Sequence, residues 1–180
     1  MSLFTARPRL TGLSLAALIF VVDQWLKDLV QGPLGLLNEG DNLHLLPFFD
    51  LTRVHNYGVS LGMLTATSAE TRWGLVALTA GIAGIVFIWL LREKVLGEIV
   101  PLGMILGGAL GNIVDRWSYG YVLDYADFHI GSFRPFLVFN LADAAITIGV
   151  VIILARSFLI REKSGDQPAG APATETNDHA

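Results

Sequence analysis

The sequence predicts an all-α membrane protein: a bundle of four transmembrane helices, with a small β-structured extracytoplasmic layer between the first and second. Three observations predict it. The chain of 180 residues is 53% hydrophobic and 16% charged, with a mean hydropathy of +0.56, outside the usual range of soluble globular domains. Its apolar residues gather into four long runs, at about residues 10–30, 73–91, 95–114 and 137–160. Each is close to the roughly 20 residues that cross about 30 Å of hydrocarbon. Lysines and arginines flank the runs mainly at alternate connections, which puts them on one side, as the positive-inside rule requires of a multi-pass protein.

The run at 10–30 follows Arg7 and Arg9 and begins like a secretory signal peptide, but no small-residue cleavage site follows it. It continues through Asp23, Gln24, Trp25, Leu26 and Lys27, so it reads as a retained first span. Asp23 and Lys27 are four residues apart, share one helical face near the far end, and can pair there.

Residues 31–71 are polar, rich in glycine and interrupted by Pro33 and Pro47. Within them, FDLTRVHN at 49–56 alternates large apolar with polar residues, the pattern of a short strand. Tyr57 to Gly62 then supplies turn residues.

The run at 73–91 has no internal charge and is rimmed by Arg72 and Trp89 as interface anchors. Arg92, Glu93 and Lys94 make a very short connection. The third run carries Gly103, Gly107, Gly108 and Gly111, and glycines at this spacing let helices approach closely, so it should sit centrally in the bundle. Its one acid, Glu98, lies within a turn of the start and can stay at the interface. Arg156, Arg161 and Lys163 end the fourth run. Residues 1–163 therefore read as one membrane-embedded domain, and 164–180, without large apolar residues, as a disordered cytoplasmic tail.

Arg7 and Arg9, Arg92 and Lys94, and Arg156, Arg161 and Lys163 fall on one side, predicted to be cytoplasmic, with both termini there. On the opposite side the polar residues converge: Asp23 and Lys27 end the first span, Asn112, Asp115 and Arg116 end the third, Asn140 and Asp143 start the fourth, and Asn56 and Asp124 lie in the loops.

Composition excludes several functions. A dispersed net charge of −4 gives no nucleic-acid footprint. With no cysteine there is no disulfide, thiolate nucleophile or Cys-ligated metal. His44, His55 and His129 are scattered through loops and His179 is in the tail, so no metal or other cofactor is expected. No serine lies in a nucleophile-elbow pattern, and no glycine-rich loop follows a strand.

Singly, the polar residues have ordinary explanations. Asn140 suits a helix N-cap, with Asp143 favoured three residues later by the positive helix end. Arg116 can pair with Asp115 or a lipid headgroup, and Asp127 suits a solvated loop. Together the carboxylates exceed the local cations: Asp23 has Lys27 and Asp115 has Arg116, but Asp124 and Asp143 have no adjacent base. Two carboxylates in a poorly hydrated pocket do not both ionise easily, so one keeps a proton. The ionised member can take a proton from water while the protonated one donates to a carbonyl, which is peptide hydrolysis without metal or covalent nucleophile.

Five blocks carry a more specific likeness: Asp23-Gln24 with Lys27; Asn56-Tyr57-Gly58; Gly107 to Asn112 with Asp115-Arg116; Val122-Leu123-Asp124-Tyr125 with Asp127-Phe128; and Phe139-Asn140-Leu141-Ala142-Asp143. In this order and spacing, from about residue 10 to 161, the chain resembles the bacterial lipoprotein signal peptidases (signal peptidase II). The resemblance implies an aspartic peptidase of the inner membrane, with Asp124 and Asp143 as its catalytic dyad at the periplasmic face. It implies Asp23, Lys27, Asn56, Gly108, Asn112, Asp115, Arg116 and Asn140 as substrate-binding or site-shaping residues. The implied partners are membrane lipid and prolipoprotein signal peptides, cleaved before a diacylglyceryl-modified cysteine. Leu61 departs from the family, which usually has an aromatic there. Residues 117–134, with their glycines and aromatics, are expected to form a mobile lid.

Two other classes compete. A proton-coupled carrier would hold its acids near mid-membrane in matching repeats, and a non-catalytic scaffold would use the glycine faces for partner helices.

Overall fold

The computed structural model describes residues 8–58 and 69–165. Among them four long helices and three strands follow in the order α1 (Pro8–Gln31), β1 (Asn42–Leu46), β2 (Phe49–Asn56), α2 (Ala69–Arg92), α3 (Leu96–Ser118), β3 (Val122–Phe128) and α4 (Leu141–Gly165). The expected turn residues from Val59 onward, including Leu61, and the expected tail beyond Gly165 lie outside the described residues.

Among the described residues, three helical stretches are long and apolar enough to cross a membrane: Glu70–Arg92, Leu96–Ser118 and Leu141–Leu159. Their outward faces leave Leu78, Ile82, Ile85, Val151, Leu154 and Phe158 uncovered by protein, as suits helices surrounded by hydrocarbon. In α1 the buried positions are Gly12, Ala16, Asp23, Lys27 and Val30. They recur at helical spacing, so one stripe of small and charged residues faces inward.

That stripe explains the central place of α3, which packs against α1, α2 and α4. A Cβ at Gly103 would lie 2.6 Å from the carbonyl oxygen of Gly12, and one at Gly108 would collide with the carbonyl oxygen of Ala142. Backbones meet where side chains are missing. Ala16, Ala83, Val86, Leu90, Leu102 and Leu106 fill the remaining space between α1, α2 and α3. At the far end of the bundle from the site, Arg156 Nε holds Glu98 at 2.8 Å.

The strands form one antiparallel sheet in the order β1-β2-β3. β2 occupies the residues its alternation predicts. β3 corrects the expected lid: the middle of residues 117–134 is a strand, six of its seven residues buried, locked to β2. The sheet therefore draws on the segment between α3 and α4 as well as that between α1 and α2. Val30 near the end of α1 and Leu36 in the loop beyond it pack against Leu51, Tyr125 and Ala126 of the sheet. Arg53 fastens the two by donating to the Leu36 carbonyl at 2.7 Å and the Gln31 side chain at 3.2 Å.

Three local features aim residues at the site. Leu51 pairs with Ala126 but Val54 with Asp124, so two residues of β2 oppose one of β3. This bulge turns Asn56 onto the face of Asp124. Gly120, at φ 87°, reverses the chain from α3 into β3, and Arg72 Nε donates to the Arg116 carbonyl at 2.9 Å beside it. Arg72, expected as an interface anchor, thus ties α2 to the end of α3. Finally, α4 starts at Leu141 and not near 137, because Phe139 is extended and exchanges backbone hydrogen bonds with Ala126 at 2.7 and 3.2 Å.

Candidate active site

Asn140 is the hub of the site. Its amide nitrogen donates at 2.7 Å to Asp124 Oδ1, at 3.3 Å to Asn112 Oδ1 and at 3.3 Å to the Leu123 carbonyl. Its side-chain oxygen accepts the backbone N–H of Asp143 at 2.9 Å, while Asp143 Oδ2 lies 3.4 Å from the backbone N–H of Asn140. This reciprocal pair is a capping box at the start of α4. The residue that caps the helix therefore also holds Asp124.

The carboxylates are tethered from both sides. Asp124, on β3, accepts Asn56 Nδ2 at 3.0 Å through its other oxygen. Asp143 Oδ1 accepts Asn112 Nδ2 at 2.8 Å. Both acids line one cavity of about 720 Å³, together with His55, Tyr57, Gly58, Phe136, Leu137 and Ile148. Burial pushes the Asp124 carboxyl up to about 7, and the negative charge of Asp143 pushes the same way; the amides of Asn56 and Asn140 oppose them.

Behind the cavity lies a buried charged layer. Lys27 Nζ sits 2.8 Å from both Asp23 Oδ2 and Asp115 Oδ2. The α1 pair is as expected, but Asp115 does not take Arg116 as its partner. Residues adjacent on a helix point about 100° apart, and the facing helix supplies Lys27 instead. Asp23 Oδ1 accepts the Ala142 N–H at 3.0 Å, holding the first turn of α4, and Asp115 Oδ2 accepts the Leu123 N–H at 3.1 Å, holding β3. Lys27 Nζ also reaches Asn112 Oδ1 at 3.5 Å, so one chain of contacts runs from the charged layer through Asn112 to Asp143. Arg116 donates to the Gly58 carbonyl at 3.0 Å, bracing the segment after Asn56.

The expected polar site residues thus fall in or directly behind one cluster, while Gly108 lies against the Ala142 carbonyl in the first turn of α4. Asp127, three residues from Asp124 and expected in a solvated loop, does not join the cluster. It is buried, not solvated, accepts Arg134 Nε at 3.0 Å and Thr52 Oγ1 at 3.0 Å, and is absent from the cavity lining. The strand explains it, since positions three apart face opposite sides of the sheet. Residues not anticipated include Gln24, which donates to Asp23 at 3.2 Å and Asp115 at 3.1 Å. His55 stacks on Tyr121 with centroids 3.9 Å apart, and burial lowers its pKa, leaving a neutral wall. The signal for Gln24 was its place beside Asp23; for His55 there was none.

The histidines also need correcting. His44 lies on β1 and His129 just after β3, and the sheet gathers both around Asp50, at 2.6 and 3.4 Å.

A model of the family described as signal peptidase (SPase) II matches residues 15–159. A lipoprotein signal peptidase of Sphingopyxis alaskensis is 50% identical over 158 residues, covering 88% of this chain and 91% of that one. One of Rhizorhabdus wittichii is 52% identical over 151 residues, covering 84% and 87%. Among solved structures, a bacterial membrane enzyme determined by the in meso method at 2.3 Å resolution superposes with a TM-score of 0.74 at 25% identity, covering 90% of this chain and 94% of that chain. A second, at 1.9 Å resolution, gives 0.69 at 28% identity, covering 81% and 91%.

Proposed function

The chain belongs to the signal peptidase II family, membrane peptidases that cleave signal peptides, and from that membership we propose that it is an aspartic endopeptidase whose catalytic pair is Asp124 and Asp143. The observation that carries the proposal is that both carboxylates line one cavity, Asp124 held by the side-chain amide of Asn140 and Asp143 by the side-chain amide of Asn112 and the backbone N–H of Asn140. Nearby, four acids (Asp23, Asp115, Asp124, Asp143) face two cations (Lys27, Arg116). Full ionisation would leave two negative charges uncompensated in a poorly hydrated place, so the pair retains a proton.

In the reaction, the ionised carboxylate takes a proton from a water lodged between the pair as its oxygen attacks the scissile carbonyl. The protonated partner gives its proton to the carbonyl oxygen. Collapse of the tetrahedral gem-diol breaks the C–N bond: the proton gained from water passes to the departing amine, and one hydroxyl proton of the intermediate returns to the other carboxylate as the C=O re-forms. The pair emerges with its single proton. Asn56, Asn112 and Asn140 fix both carboxylates before substrate arrives, so little reorganisation is left for the transition state.

The relatives are named lipoprotein signal peptidases, and prolipoproteins are the substrates proposed here, cut before a diacylglyceryl-modified cysteine. Phe136, Leu137, Val138, Phe139 and Ile148 give the cavity an apolar wall suited to an apolar signal helix. Lipid chains left in the bilayer retain the substrate by about 0.8 kcal/mol per buried methylene. Three apolar helices and the family fit a bacterial inner-membrane protein. We further propose α1 as a fourth span within a single membrane-embedded domain, both termini cytoplasmic, and the cavity at the periplasmic face. The Lys and Arg distribution supports that orientation.

The test is cleavage of a lipid-modified precursor peptide by purified protein. Asp124→Asn and Asp143→Asn should each abolish cleavage while the protein stays folded. Failure of the wild type to cleave the lipid-bearing peptide would overturn the reading.

A further inference from the structure

Away from the cavity, the sheet assembles a second constellation. Its register sets Asp50 opposite His44 on β1 and opposite Asp127 on β3. Past the end of β3 the pairing continues, since the His129 N–H donates to the Phe48 carbonyl at 3.0 Å. His129 is therefore a diagonal neighbour of Asp50, within reach of its side chain. His44 Nδ1 lies 2.6 Å from Asp50 Oδ1, and His129 Nε2 lies 3.4 Å from Asp50 Oδ2. One ligand atom from each of the three residues falls within 4.8 Å of the others.

We propose that His44, Asp50 and His129 form a binding site for a divalent cation of the zinc class, one that clamps β1, β2 and the segment after β3. Two imidazoles and a carboxylate are a ligand set that zinc favours, at about 2.0–2.2 Å from each atom, with a fourth position left for water. Tetrahedral coordination at that length puts ligand atoms about 3.4 Å apart, so the side chains need only small rotations. Such a set excludes magnesium and calcium, which prefer oxygen alone.

Further observations favour an ion over a simple ion-pair cluster. His129 Nε2 is buried and, among the described residues, makes no well-formed hydrogen bond; its nearest partner is the Asp50 carboxylate at 3.4 Å. A polar atom in that position is costly unless something binds it. Arg134 is engaged by Asp127 at 3.0 and 3.2 Å. Asn42 Nδ2 donates to Asp50 Oδ2 at 3.2 Å, orienting the carboxylate from behind as metal ligands are commonly oriented. The His44 side chain is 64% exposed, which gives the ion a way in and makes binding reversible by a chelator.

The experiment uses the full chain in detergent, stripped with EDTA and desalted. Titration with zinc chloride by calorimetry should show one ion per chain, with a dissociation constant of ~10 μM or tighter. Cobalt chloride should give the visible absorption of a tetrahedral centre. His44→Ala should weaken binding at least tenfold, and His44→Ala with His129→Ala should remove it. His179→Ala in the tail and Asp143→Asn in the cavity should leave it unchanged. A readout on the unmutated chain guards against misfolded variants: zinc should protect His44 from modification by diethyl pyrocarbonate. No stoichiometric binding by the wild type, full binding by the double variant, or His44 modified equally with and without zinc would overturn the proposal.

Discussion

Asn140 donates its side-chain amide to Asp124 at 2.7 Å from the position that caps the helix carrying Asp143. Strand and helix therefore cannot shift independently without breaking that contact. Replacing Asn140 by Ala removes both the cap and the bridge. We expect stability to fall by about 1–2 kcal/mol, as for other lost N-caps, and kcat to fall about 100-fold with KM little changed, the penalty of misplacing reacting groups by about an ångström. Thermal unfolding in detergent and steady-state cleavage measure the two effects.

Cleavage should depend on pH through the shared proton. Asp124 is raised to about 7, first by burial and then by the charge of Asp143. Below that value the pair holds a proton to donate; above it both members ionise and the acid is lost. The rate should be sustained just below pH 7 and drop by about tenfold per pH unit well above it. A kcat/KM profile on a lipid-bearing peptide without other ionisable groups checks this, and a rate still rising to pH 9 would contradict it.

Lys27 lies between two buried acids, 2.8 Å from each. Lys27→Met should cost about 3–5 kcal/mol, because it strands uncompensated buried charge. Combining it with Asp115→Asn should recover part of the loss. The yield of folded protein and its unfolding midpoint report both.

Gly108 has no room for a methyl group, since the Ala142 carbonyl lies against it, whereas a Cβ added at Gly84 would meet nothing within 4 Å. Gly108→Ala should push back the first turn of α4, costing about 1–3 kcal/mol and most of the activity. Gly84→Ala should be neutral or slightly stabilising, alanine being the better helix former. The pair of variants separates close approach from mere helix propensity.

What could be read from the sequence was local. The cap at Asn140 with Asp143, the pairing of Asp23 with Lys27, and the alternation marking β2 all depend on residues a few positions apart, and each is found where expected. The glycines of α3 likewise declared a close-packed helix. Contacts set by register across the sheet were not legible. VLDYADF has no clean alternation because β3 is covered on both faces, so a buried strand read as a lid. Asp115 turned from its neighbour Arg116 to Lys27, 88 positions away in sequence, only because α1 and α3 approach through small residues. His44 and His129 meet only through the pairing of three strands.

The central claim is that Asp124 and Asp143 act as one unit. Single-turnover cleavage of a lipid-modified precursor by Asp124→Asn, Asp143→Asn and the double variant, each verified as folded, tests it most directly. Groups that share one proton and one water should fail together, so each single variant should drop to the same floor as the double. A single variant that retains a tenth of wild-type turnover, or a double variant whose loss is the product of the two single losses, would contradict it.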